Sequence, residues 1–385
     1  MTGATLVGAG AASAAVNGSG SSFVNTAYSK WCGESGFCSY TSKGSGGGIT
    51  DFTNGVTDFG ASDATLSPDQ LAKLSASRNG AGVVYFPTLL GAITVPVNLP
   101  NIKHIQLDGP TIAGIFKGTI TKWNDPKIVA DNVGVKPTVR LPDAPISMCV
   151  RADGSGTSFS FARFLGNVDL DFAAKIPAST TPSWPESQST LKFPSNSGVA
   201  NCVKTTANAI GYVDLPDALN AGLTDQIASV GAGAKATATK KYKVTFTTKV
   251  TRTKVKGKTV VKRVKVAKRT IVTIPGKQKT FVLPSGDTIA AAAGAPDAAN
   301  DPNLTPDFTK YASEIANAYP ITITSWVLAY DDFGKVGKSG SLAGVKDVLN
   351  YFYGDTAQKQ LAALGYGTLP SAIVDKAKAN IATLK

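Results

Sequence analysis

Three short clusters rich in glycine and serine stand out along the 385-residue chain. They are Gly18-Ser19-Gly20-Ser21-Ser22-Phe23, Ser42-Lys43-Gly44-Ser45-Gly46-Gly47-Gly48-Ile49, and Arg151-Ala152-Asp153-Gly154-Ser155-Gly156-Thr157-Ser158-Phe159. The first precedes a helical stretch, Val24 to Trp31; the third leads into an aromatic-rich helical pattern at Phe159, Phe161 and Phe164. A tight loop of this kind delivers backbone N–H groups and a hydroxyl to a helix N-terminus. That end carries roughly half a positive charge and unpaired donors, so the chemistry it offers is anion binding. A serine N-cap with glycines for the turn explains any one of them. Three in one chain, one of them containing an arginine, carry more weight.

Nucleotide loops fit poorly. Gly257-Lys258-Thr259 has the ending of a phosphate-binding P-loop, but the required leading glycine falls at Arg252. The first cluster opens Gly-x-Gly yet has Phe23 where a dinucleotide loop needs its third glycine. His104 is the sole histidine, which limits histidine metal sites and catalytic triads. It reads as a polar loop or strand-edge residue. Four cysteines with no CxxC argue against zinc, and neither a metal nor a cofactor is expected. Cys32 and Cys38 bracket a short glycine-containing turn, and Cys149 and Cys202 each lie beside an apolar run. Two disulfides, Cys32–Cys38 and Cys149–Cys202, are the preferred reading and imply an oxidising, extracytoplasmic setting. Four buried free thiols are the alternative, since four cysteines allow three pairings.

The elements that must position these residues alternate. Ser67-Pro68-Asp69 is a helix start with serine N-cap, proline at the first helical position and an acidic first turn. Gly82–Phe86 and Ala92–Val97 read as two buried strands, and Ile146–Val150 as another. Ser325–Ala329 returns to the same style, and two amphipathic helices flank Leu369-Pro370-Ser371. Strands alternating with helices indicate an α/β architecture. Trp31, Trp123, Trp184 and Trp326 read as core residues, with Trp184-Pro185 an alternative lining for a cleft mouth.

The stretches GSGSSF (18–23), KGSGGG (43–48), DFGASDATLS (58–67), LDGPTIAGIFKGTITKWNDPKI (107–128), RADGSGTSF (151–159), AIGYVD (209–214) and AYPIT (318–322) resemble the phosphate-binding proteins of bacterial phosphate ABC transporters. The resemblance runs in order over roughly 18–215 and 318–385. It implies a two-lobed periplasmic-binding-protein-like α/β fold with two hinge crossings, near Phe86–Val97 and Ile321–Leu328. Lobe one would comprise 1–90 and 325–385, and lobe two 91–324. Carried over by motif, Ser22 contributes a hydroxyl, Phe23 a backbone N–H, Ser45 a donor at a helix start, and Asp63 an acceptor. Arg151, Ser155, Gly156 and Thr157 reach phosphate from the other lobe, with Asp153 bracing Arg151. Position 22 is Ser where the family often has Thr, and Gly46 replaces a common serine.

Elementary chemistry supports those roles. Phosphate near neutral pH keeps at least one proton; hydroxyls, amides and a bidentate guanidinium satisfy its other oxygens. An ionised aspartate is acceptor-only, so Asp63 can pair with that proton and repels fully deprotonated sulfate. The expected function is extracytoplasmic binding of inorganic phosphate by a monomer and delivery to ABC permease subunits, with no reaction catalysed. A receptor for another oxyanion, sulfate or molybdate, is the nearest alternative.

Charge is distributed unevenly. The net charge is +13, yet 16 of the 39 Lys/Arg and none of the 26 Asp/Glu lie between Lys235 and Lys279, leaving the rest at −3. Basicity is therefore a property of one segment, and nucleic acid is not an expected partner. Tyr242, Val244 and Phe246 alternate with Lys241, Lys243 and Thr245, and Lys256-Gly257-Lys258 reads as a hairpin turn. The expectation is a two- or three-stranded, one-sided basic β insertion in lobe two at about 235–283. It either docks an anionic partner, an envelope glycopolymer or acidic lipid headgroups, which would also suit an envelope-attached structural protein, or is a solvated ribbon whose lysines blunt edge pairing. No run of 18 apolar residues occurs. Met1-Thr2-Gly3 opens an Ala/Gly-rich stretch without a basic n-region, so no signal sequence is read and the chain reads as a mature form.

Overall fold

A computed structural model describes residues 15–385 except 136–138, 188, 232–234, 256–257, 279, 295–300, 313–314 and 316. Short β-branched and aromatic runs form strands that assemble into four sheets. The largest has six strands in the order β10 (Val213–Asp214), β4 (Val83–Thr94), β15 (Thr322–Tyr330), β3 (Phe59–Ser62), β1 (Val16–Gly20), β2 (Cys38–Ser42). Here β1 runs parallel to β2 and β3, whereas β15 is antiparallel to both β3 and β4. A second sheet orders β5 (Val97–Asn98), β9 (Ala209–Gly211), β7 (Ser147–Arg151) and β8 (Thr190–Phe193), with β7 parallel to β8 and β9. A third holds β14 (Phe281–Val282), β11 (Ser229–Gly231) and β6 (Gln106–Asp108). The six-stranded sheet centres one lobe and the second sheet the other. All nine residues of β15 are buried, as a strand covered on both faces requires.

Each lobe has its own aromatic core. Tyr28, Trp31 and Phe352 cluster in the first, with Tyr28 and Phe352 centroids 4.7 Å apart. In the second, Phe161 stacks on Tyr212 at 4.5 Å, and Phe116 and Trp184 close the cluster. Trp184 is therefore core and does not line a cleft mouth. Both expected disulfides are formed, Cys32–Cys38 and Cys149–Cys202. His104 lies exposed in a bend.

The helix after Ser67 spans Pro68–Ser77, and Ser67 and Gln70 complete a reciprocal capping box. The two strands expected at 82–97 are instead one 12-residue strand, β4, with Pro87 inside it. Proline cannot donate to a ladder, and the register against β15 slips at this point: Ser325 faces Leu89 while Trp326 faces Pro87. The bulge absorbs the proline, and the strand continues.

Residues 233–280 form a separate compact unit. Within it β12 (Lys235–Val255) and β13 (Lys258–Gln278) pair antiparallel with each other alone, from Lys235↔Gln278 to Val255↔Lys258. The expected turn residues Lys256 and Gly257 lie outside the described residues. The expectation of a one-sided basic ribbon is corrected by this register. Lys241 and Lys243 share a face with Lys262 and Lys268, while Lys240 and Arg252 share the other with Arg263 and Lys265. The basic positions change phase along each strand, so period two spreads them over both faces. Phe281 and Val282, placed in the insertion by sequence, pair with β11 in the third sheet.

Candidate functional site

Each of the three clusters joins a strand end to a helix start. β1 ends at Gly20, whose φ of +145° and close approach to Ala61 exclude a side chain: an added Cβ would lie 2.0 Å from the Ala61 carbonyl oxygen. The chain then turns through Ser21, Ser22 and Phe23 into the helix Asn25–Ser35. After β2, Gly44 opens the helix Gly44–Thr53 and places Ser45 in its first turn. After β7, the loop Ala152–Ser155 opens the helix Gly156–Val168, capped by Ser155 Oγ accepting from Ser158 N–H at 3.0 Å. β3 ends at Ser62 and delivers Asp63 between them.

Asp63 is 1% exposed and forms the hub. Ser21 donates to its Oδ1 at 2.6 Å, and Ser45 and Thr157 each donate to Oδ2 at 3.4 Å. Its backbone N–H donates to Ser45 Oγ at 3.2 Å, and Ser160 donates to its carbonyl at 3.1 Å. Hydroxyls from both lobes thus meet one carboxylate. Burial pushes its pKa up, opposed by hydrogen bonds from Ser21 and Ser325 and by the charge of Arg151.

Arg151 is held by a fork. Its Nε and Nη2 donate to the two Asp153 carboxylate oxygens at 2.8 and 2.5 Å, and its Nη1 donates to Asn196 Oδ1 at 2.9 Å. The guanidinium side chain is only 1% exposed, so its orientation is fixed by these two partners. Ser22 Oγ accepts from the Asn196 N–H at 3.3 Å, while Phe23 N–H donates to Ser21 Oγ at 3.0 Å.

The two sides of the site are in direct contact. Gly46 N–H donates to the Gly154 carbonyl at 2.8 Å. A Cβ on Gly46 would come within 2.8 Å of Gly154 Cα, which accounts for glycine where a serine was the familiar residue. Likewise a Cβ on Gly156 would lie 2.5 Å from Ser45 Oγ and 2.7 Å from the Asp63 amide nitrogen. Ser22, Phe23, Ser45, Asp63, Arg151, Asp153, Ser155, Gly156 and Thr157 all fall in this one cluster.

Sequence reading passed over Ser21, which makes the shortest bond to Asp63, and Asn196. The Asn196 Nδ2 donates to Asp214 Oδ2 at 2.6 Å and to Thr157 Oγ1 at 3.2 Å, so one residue, through its side-chain amide and its backbone N–H, ties Arg151, Thr157 and Ser22 together. Asp214 is itself buried, and burial followed by the neighbouring Asp217 raises its pKa well above the usual carboxylate range. A signal for Asn196 did exist: Ser195-Asn196-Ser197-Gly198 is a fourth serine- and glycine-containing helix start, opening Ser195–Thr205.

Among the described residues no helix is long and apolar enough to cross a membrane. The chain is 29% identical over 373 residues to the phosphate-binding protein PstS of Xylella fastidiosa (strain Temecula1), covering 94% of this chain and 84% of that one. Its fold is shared with a high-affinity periplasmic phosphate-binding protein solved with phosphate bound, at TM-score 0.66 and 20% identity over 95% of this chain and 93% of the other. A phosphate-binding protein from Stenotrophomonas maltophilia superposes with TM-score 0.61 at 20% identity, over the same shares of the two chains. The family model for the PBP superfamily domain matches residues 7–356, nearly the whole described fold, and the chain belongs to that superfamily.

Proposed function

We propose that this protein binds inorganic phosphate in the closed cleft between its lobes and delivers it to ABC permease subunits for uptake. It works outside the cytoplasm, as a monomer, and catalyses no reaction. The lobes divide at about 1–90 with 325–385 against 91–324, with β10 from the second stretch pairing onto β4 at the end of the first lobe's sheet. One observation carries this reading: a buried carboxylate, Asp63, receives hydroxyls from both lobes beside a guanidinium locked by Asp153 and Asn196. Family membership and the relatives named for phosphate binding support it.

The chemistry follows from the donor set. Ser22, Ser45, Ser155 and Thr157 offer hydroxyls, helix starts at Gly44 and Gly156 offer N–H groups, and Arg151 offers charge. Asp63 is the one group that needs a proton from its guest, or shares its own with it. Phosphate has such a proton at neutral pH and sulfate has none. Leaving a buried acceptor unpaired costs about 1–3 kcal/mol, more for a charge, which favours phosphate by roughly tenfold to over a hundredfold. Hinge closure then excludes water from the guest. Competition of sulfate and molybdate against labelled phosphate at neutral pH tests the assignment. Phosphate should be displaced by neither at comparable concentration; displacement by either at equal concentration contradicts the reading.

A further inference from the structure

The unit formed by β12 and β13 has no counterpart in the chemistry of the cleft. It pairs 21 residues with 21 in unbroken antiparallel register, a ribbon about 70 Å long at roughly 3.4 Å per residue. Fourteen of the sixteen basic residues between Lys235 and Lys279 lie in the strands, and no acidic residue occurs among them. The register places seven on each face. None of the fourteen is directly opposite another: Lys243 faces Thr270, Lys249 faces Val264, Val250 faces Arg263, and Arg252 faces Val261. Like charges directly opposite would destabilise the pair, and this staggering avoids that while keeping the full charge. Even so, a two-stranded ribbon is marginal in water by itself, and like charges spread over both faces weaken it further.

We propose that residues 235–278 bind a linear, flexible polyanion with repeated phosphate groups, which runs along both faces of the ribbon. Charge complementarity identifies the partner as a polyanion, and the division of the cations identifies its shape. A flat anionic surface, such as a lipid headgroup layer, can engage only the seven cations of one face. A flexible chain can wrap and reach both. Binding releases condensed counterions, so its hallmark is a steep salt dependence, with a log–log slope of about −0.7 for each phosphate neutralised on a single strand.

The test uses the full chain on immobilised long-chain inorganic polyphosphate, with orthophosphate present throughout to keep the cleft filled. Two variants accompany it. In one, 235–278 is replaced by a short turn, which the pairing of β11 with β14 on either side of the excursion permits. In the other, the seven cations of one face are changed to Gln, leaving the alternation of the strands intact. The full chain should be retained at 50 mM salt and lose about a thousandfold in affinity or more by 200 mM. The one-face variant should still bind with roughly half the slope, and excision should abolish retention while orthophosphate still raises the melting temperature. Absent retention of the full chain at 50 mM, retention untouched by excision, or complete loss in the one-face variant each overturns the proposal. So does tighter binding to phosphatidylglycerol vesicles or duplex DNA than to polyphosphate at equal phosphate concentration.

Discussion

Burial raises the Asp63 pKa, against the hydrogen bonds from Ser21 and Ser325 and the charge of Arg151. The direction has a consequence for selectivity. Above its pKa the carboxylate accepts only and rejects sulfate; as pH falls through that pKa it becomes a donor, and rejection fades. Sulfate competition against phosphate should therefore strengthen from pH 8 towards pH 4, and competition flat with pH would contradict this role. Asn196 permits a second prediction. Asn196→Ala removes an acceptor from Arg151 and a donor from buried Asp214, so phosphate affinity should fall about tenfold to a hundredfold, at roughly 1–3 kcal/mol for such a loss. Equilibrium titration of the folded variant measures it, and unchanged affinity would mean that Asp153 alone holds the guanidinium. Asp63 and Arg151 were legible because their neighbours form recognisable motifs. Ser21 and Asn196 were not, because a serine beside another serine, or an asparagine at a helix start, has many local uses that only three-dimensional contact separates.

At the level of elements, three helix starts converge, each following the C-terminal end of a strand, and glycines permit the approach. Gly156 is one such case, with Ser45 and the Asp63 backbone within 2.7 Å of where its Cβ would stand. Gly156→Ala should leave each lobe folded and oppose closure. Overpacking of this kind costs about 1–3 kcal/mol, so phosphate affinity should drop roughly tenfold to a hundredfold, with little change in melting temperature without ligand. An equally large fall in that unliganded melting temperature would show that the glycine serves folding instead. Helix starts such as Ser67-Pro68 were readable from local chemistry alone, since a cap and its acceptor are three residues apart. The continuity of β4 across Pro87 was not, because the bulge that tolerates the proline is set by β15, more than 200 residues away. The faces of the basic ribbon were misjudged for the same reason: alternation within a strand is local, but its phase changes along 21 residues, and only cross-strand pairing shows the sum.

The molecule as a whole separates two kinds of charge. Outside residues 235–279 the balance is −3, yet a buried arginine and four helix starts face the cleft. Attraction for an anion here is made by oriented dipoles and one fixed guanidinium, set in surroundings whose own charge balance is slightly negative. The two-lobed α/β class was readable from the order of the motifs and the alternation of strands and helices. Its closed contact, Gly46 against Gly154, was not, since it depends on how two separately built sheets meet. The most direct test of the cleft is a calorimetric titration at pH 8 of the native protein and Asp63→Asn, each with phosphate and with sulfate. The native protein should give saturable heat with phosphate and none with sulfate, and the amide, able to donate, should narrow that difference at least tenfold. Equal binding of both anions by the native protein, or an unchanged difference in Asp63→Asn, would contradict the account.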